Sequence, residues 1–421
     1  VNSDWSSDVC SSDLLHFLTA FGDHVPLSHF KSDDTISALS FTSDGQFLAS
    51  GDHAGRIVVF RFTEGSNNKN CPMVSFVTQI HAHKSQFDYF RSELSEMKVN
   101  SLKWVPRQTL NPLLLTCNSH DVKLWKFNLT TKTTWAENSC AEDEDGVFLD
   151  EFIFPTVKHN DMKYSSECVK TYSDIQTEYI MDLQTMPDQR SFLMVDVSCV
   201  KLWDIERDVK SVCLCKVSQQ EPEIITSGIT EKHPQSFVIG DDYGLCRMFD
   251  LRQQAEDLNP VFEIDTAMYA SKNQQLDGCD SIGSIVFSHD GNYFAARRFG
   301  DVQVFDIRNT NMPAAKLDVQ WFPGQMEWLV GDDYVKDQFR TTFTPDDKIV
   351  TGCYSADFIA WDWKTQTTSR HKAVSSRTPR HPPEPGRDFS KRVTVCEAHP
   401  SKEIVAVVST AALFLFYEPE E

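Results

Sequence analysis

The chain has 421 residues, 40% apolar and 24% charged, and carries a formal charge of −21. Those proportions exclude a disordered chain, and the longest apolar run, Ile404 to Tyr417, stops at 14 residues, short of the roughly 20 that a membrane-spanning helix needs. The acidic balance disfavours nonspecific binding to nucleic acid or anionic membrane; it suits basic partners, or serves solubility alone.

The first fourteen residues, VNSDWSSDVCSSDL, begin without Met and lack the basic start and apolar centre of a secretory signal. They are read as a non-native leader, 1–14, ahead of a single domain over 15–421. From Thr35 onward one unit recurs: an alternating apolar stretch, a turn, a second apolar stretch, another turn, and a third strand that ends on an aromatic residue. The copies lie at 35–62, 98–127, 178–205, 223–251, 281–307, 336–363 and 392–418. Their third strands end at Phe60, Trp125, Trp203, Phe249, Phe305, Trp361 and Phe416. Alternation of β-branched and aromatic residues marks strands, and the Asp44-Gly45 and Asp290-Gly291 pairs supply tight hairpin turns. Seven such units, each taking a fourth strand from intervening sequence, predict an all-β, seven-bladed WD40-type β-propeller. A blade cannot bury both faces alone, so the ring must close; Leu14 to Phe21 is the strand expected to complete the last blade.

The spacing between third-strand ends is 65, 78, 46, 56, 56 and 55 residues, so the two long gaps hold insertions, 63–97 and 128–178. The second carries the acidic run Glu142 to Asp145 and then Phe148, Phe152, Ile153 and Phe154, which read as a partner-binding hairpin arm after the second blade. Between the last two blades, 364–391 is rich in proline and polar residues and reads as a basic flexible loop. Lys364 to Arg392 holds eight basic and two acidic residues, so the rest of the chain sums to −27.

Twelve cysteines without framework spacing, several inside apolar strands (Cys117, Cys246, Cys353), point to reduced thiols and a cytosolic or nuclear compartment. His81 and His83 share one face of an extended strand, but no third ligand lies at matching distance, and no metal or cofactor is expected. Cys213 and Cys215 alternate in a strand and read as packing residues. The acid pairs Asp241-Asp242 and Asp332-Asp333 read as turn caps. No nucleophile motif, phosphate loop or metalloprotease motif occurs in a usable context, so the chain is not expected to be an enzyme.

The run Gln86-Phe87-Asp88-Tyr89-Phe90-Arg91-Ser92 followed by Lys98-Val99-Asn100 resembles a motif of the B/PR55-type regulatory subunits of protein phosphatase 2A. Ordered similarity continues at 49–60, 113–127, 281–299, 332–343 and 398–410 and covers nearly the whole chain from Thr35. The resemblance implies a non-catalytic propeller that docks on the HEAT-repeat scaffold and catalytic subunits of a trimeric serine/threonine phosphatase. It also implies an arm that reaches the scaffold, and an acidic top-face groove that selects phosphoproteins through their basic segments. By position, His53, Arg91, Glu178, Asp196 and Asp333 fall on that groove. The chain departs from the family at 173–188, where a second well-known run is largely lost, and at Arg91, where the family has lysine. A WD40 scaffold of another complex, such as a ubiquitin ligase or a trafficking coat, needs only the repeat and is the alternative.

Overall fold

In a computed structural model of the protein, the residues described are 15–22, 31–63, 72–88, 92–107, 111–135, 157–174, 177–217, 222–253, 258–271, 279–319, 337–354, 356–373 and 392–418, with backbone alone at 88, 93, 129–135 and 157–163. Seven four-stranded antiparallel sheets form the blades. Blade 1 is Ile36–Phe41, Phe47–Asp52, Arg56–Thr63 and Met73–His81; blade 2 is Ser101–Trp104, Leu113–Cys117, Val122–Trp135 and Val157–Tyr172. Blade 3 is Ile180–Thr185, Ser191–Asp196, Cys199–Asp204 and Val212–Lys216; blade 4 is Ile224–Ile229, Ser236–Asp241, Leu245–Asp250 and Phe262–Asp265. Blade 5 is Ile282–Phe287, Tyr293–Arg298, Asp301–Asp306 and Ala315–Asp318; blade 6 is Thr341–Phe343, Ile349–Gly352, Asp357–Asp362 and Thr367–Lys372. Blade 7 takes Val393–Ala398, Ile404–Ser409 and Ala412–Tyr417 from the end of the chain and His16–Phe21 from its beginning.

The inner strands of successive blades touch all the way round, blade 7 to blade 1 included, so the ring is closed. The propeller and its closing strand are as the repeat predicts. His16 pairs with Tyr417 and Phe21 with Leu413, and the Phe21 ring lies 4.5 Å from Phe60 of blade 1. Fully buried side chains fill the spaces between blades; Tyr172 of blade 2, for example, packs edge-on against Phe192 and Trp203 of blade 3. Apolar burial of this kind is the main favourable term for a sheet whose two faces are both covered.

Three short polar devices repeat around the ring. The Asp that ends a third strand caps the next turn: Asp204, Asp250, Asp306 and Asp362 each accept a backbone N–H two residues on, at 2.9 Å. The first residue of an inner strand donates its N–H to a turn carbonyl of the preceding blade, Ile36 to Thr410, Ile180 to Ser119, Ile224 to Val197 and Val393 to Cys353, all at 2.9 Å. One step later the pairing of first and second strands slips by a residue in blades 1, 3, 4, 5 and 7, a bulge that bends the strand and strengthens its twist.

The stretches read as insertions turn out to hold blade strands. Met73–His81 within 63–97 is the fourth strand of blade 1, and Thr367–Lys372 within the supposed loop 364–391 is the fourth strand of blade 6. Both are outermost strands with mostly solvated side chains, so their apolar alternation is weak. The long pair in blade 2 runs out in register as far as Trp135 and Val157, so a two-stranded arm grows from blade 2 itself. Its tip, with Phe148, Phe152, Ile153 and Phe154, lies outside the described residues, as do the leader and most of the basic loop.

Candidate interaction surface at the channel mouth

One face of the ring, here the top, gathers the turns between second and third strands and the connections from each blade to the next. The sequence places charged or hydroxyl-bearing side chains just before several inner strands, and closure of the ring brings them to one mouth. Glu96 and Lys98 precede Ser101, Glu178 and Tyr179 precede Ile180, Asp337 precedes Thr341, and Arg392 precedes Val393.

Their contacts interlock. The Tyr179 hydroxyl donates to Glu96 Oε2 at 2.8 Å. The Tyr354 hydroxyl donates to Asp337 Oδ2 at 2.8 Å, and Arg392 Nε stands 3.1 Å from the same oxygen. Lys98 is half-buried among these groups; desolvation pulls its ammonium below the usual lysine range, with Glu96 opposing and Arg340 adding to the shift. His53, half-buried in the turn after blade 1's second strand, is held down to about 4, first by burial and then by the positive charges of Lys98 and Arg392. Burial raises the Asp337 carboxyl against the pull of Arg392 and Tyr354. At neutral pH the mouth therefore presents a neutral imidazole beside a network of paired charges.

Beneath the mouth a channel cavity of about 60 Å³ is lined by inner strands of all seven blades, with Lys103, Asp182, Arg340 and Glu397 among hydroxyl side chains. Arg340 lies 3.5 Å from the buried Asp182 and donates to Thr226 Oγ1 at 3.3 Å. Burial raises Glu397, which Lys103 and Arg340 oppose. The space suits a few waters rather than an organic substrate. The chemistry such a mouth offers is recognition of charge and shape.

Of the residues expected in a groove, Glu178 is exposed at this mouth and His53 sits within its network. Asp196 is fully buried, and its carboxylate accepts the N–H groups of Glu178 at 2.8 Å, Tyr179 at 3.4 Å and Ser198 at 3.2 Å. It presents no surface to a partner; it positions Glu178 and Tyr179. Asp52 and Asp241 hold their own turns the same way. Arg91, Asp333 and Tyr89 lie outside the described residues. Phe87 is exposed and pairs with the exposed Leu94 on a short hairpin, Phe87–Asp88 with Glu93–Leu94.

The remaining motifs have structural positions. His81 is exposed, whereas the buried His83 lies 3.0 Å from Thr116 Oγ1 and 3.0 Å from Asp121 Oδ1, tying blade 1 to blade 2. Cys215 is buried and Cys213 half-buried. Cys117, Cys246 and Cys353 are buried as expected, and burial raises the thiols of Cys117 and Cys246 far above the usual range. Asp241 of the pair Asp241-Asp242 caps a turn, while Asp332 and Asp333 lie outside the described residues. Among the described residues one trio of possible metal ligands occurs, Asp346, Glu403 and Glu418, and Lys348 bridges two of them at 2.8 and 3.0 Å.

Sequence reasoning missed Glu96, Lys98, Tyr179, Asp337, Tyr354 and Arg392. Aligning the seven units on their inner strands and asking what precedes each would have found most of them.

No protein-family model matches the chain. A curated protein from Candida tropicalis, named as the B-type regulatory subunit of protein phosphatase PP2A, is 26% identical over 360 residues, an alignment that spans 82% of this chain and 70% of that protein. The resemblance read from the motifs is thus supported along most of the propeller.

Proposed function

We propose that this chain is a non-catalytic regulatory subunit of a protein phosphatase 2A-type serine/threonine phosphatase. The single observation that carries this reading is the similarity to a protein of that name over most of a seven-bladed ring. In this reading the propeller docks on a HEAT-repeat scaffold and a catalytic subunit, and its top mouth selects phosphoproteins through their basic segments. The exposed Glu96 and Glu178 beside the half-buried Tyr179 supply the negative charge for such a segment, and the arm of blade 2 supplies reach towards the scaffold. Assembly belongs in the cytosol or nucleus.

The test is co-purification of the tagged full chain from cells at low salt, followed by mass spectrometry. The expected result is recovery of a HEAT-repeat scaffold together with a phosphatase catalytic subunit. Recovery of neither overturns the proposal, and an unrelated partner set selects the alternative of a WD40 scaffold for another complex.

A further inference from the structure

Blades 2 and 3 diverge outward from the channel, and the space between their outer halves is not filled. Its upper end is closed where the Tyr172 hydroxyl donates to the Ile205 carbonyl at 2.6 Å. Below that contact a cleft of about 820 Å³ opens. Leu124 and Ile205, both nearly fully buried, and the half-buried Leu113 make an apolar floor, and Val169 on the outer strand of blade 2 is 53% exposed at the rim. Val209 and Val212 continue the exposed apolar surface along blade 3.

The charge around this cleft differs from that of the chain. Arg107 is 2.6 Å from Glu206, and Lys170 is 3.5 Å from Asp208, so each carboxylate on the lining already has a cation. Lys126, half-buried on the same lining, has no carboxylate partner among the described residues. Three cations against two anions give the cleft a net positive charge on a molecule whose total is −21. A solvated lysine beside an apolar floor is a site for an apolar side chain with a carboxylate next to it.

The location narrows the occupant. Lys126 and Lys170 lie on the two strands that continue outward as the arm, Val122–Trp135 and Val157–Tyr172. A partner that grips the arm passes this cleft at its root. We infer that the cleft between blades 2 and 3 receives an acidic-apolar segment of the scaffold partner, an aliphatic or aromatic side chain on Leu113 and Leu124 with its carboxylate on Lys126. This inference rests on the reading of the chain as a scaffold-bound regulator.

The experiment measures scaffold binding by the full-length chain and three variants. Lys126→Glu and Val169→Glu should each weaken binding about tenfold or more, with circular dichroism unchanged; Val261→Glu, an exposed valine of blade 4 away from the cleft, should leave affinity within about twofold. A photo-crosslinking residue at position 169 in the otherwise unaltered chain should link to the scaffold in the assembled complex, a readout that does not depend on how the charge-reversal variants fold. Wild-type affinity in both cleft variants, or no crosslink from position 169 in a complex that has formed, overturns the cleft assignment. Failure of the wild-type chain to bind the scaffold at all overturns the functional reading itself and with it this inference.

Discussion

His399 shows how much one side chain carries. It is 3% exposed in a turn of blade 7, and its Nδ1 accepts the N–H groups of Ser401 at 3.1 Å and Lys402 at 3.0 Å while Nε2 donates to the carbonyl of Gly45 in blade 1 at 3.1 Å. That bonding fixes the neutral tautomer, because a proton on Nδ1 would face two donors. Gly45 is required on the other side: its φ is +70°, and a Cβ there would stand 2.1 Å from the imidazole. Burial first of all lowers the His399 pKa to about 4. A folded pKa below the unfolded 6.5 means stability that is fully present above pH 6.5 and lost as pH falls towards 4. Substituting His399→Ala should cost about 2 kcal/mol or more at neutral pH. It should also remove part of the acid sensitivity between pH 6.5 and 4, which urea unfolding at a series of pH values would measure. A variant with the wild-type pH profile would show that the imidazole does not carry it. The capping aspartates make a smaller prediction: Asp362→Ala removes acceptors for the N–H groups of Lys364 and Thr365 and should cost about 1 kcal/mol, read from the shift in denaturant midpoint.

At the scale of elements, the inner three strands of every blade were legible and the fourth was not. Inner strands are covered on both faces, so they are apolar enough to mark themselves; Ile404–Ser409 is buried at all six positions. Outer strands meet solvent, and Thr367–Lys372, with the sequence TTSRHK, carries no apolar residue at all. What makes it a strand is the neighbour Asp357–Asp362, to which it pairs along its whole length. The closing strand was legible because Leu14 to Phe21 is apolar and the last blade needed a partner. Deleting residues 15–22 should lower the unfolding temperature by roughly 5–10 °C, as expected when several kcal/mol of buried strand are lost from a chain of this size. Adding a peptide of that sequence should recover part of the loss. An unchanged transition in calorimetry would mean that the strand is dispensable for the ring.

Across the whole molecule, the mouth is where sequence reading fell shortest. Its groups come from four connections and two turns spread between His53 and Arg392, and only closure of the ring brings them together. Distance along the chain hid Tyr179 and Glu96 from each other, although their oxygens are 2.8 Å apart. Asp196 stood out for its charge, but in a fold that buries one carboxylate per turn, charge alone does not distinguish a cap from a contact. The exposed Glu178 next to it is the better mark of a surface. Reversing it, Glu178→Lys, should weaken binding of a basic phosphoprotein segment by about three- to tenfold and flatten its salt dependence, with assembly on the scaffold unchanged. Equal affinity for wild type and variant in a titration at low salt would remove Glu178 from the recognition surface.

The pairing that closes the ring also decides how the protein yields to force. His16 and Tyr417 face each other at the same end of an antiparallel pair. Tension applied between those two residues loads the hydrogen bonds one after another from that end, as a zipper opens, rather than all together in shear. The ring resists heat as one closed object, yet it is mechanically weakest at this seam, and a pull on its two ends should peel the first strand away before any blade unfolds.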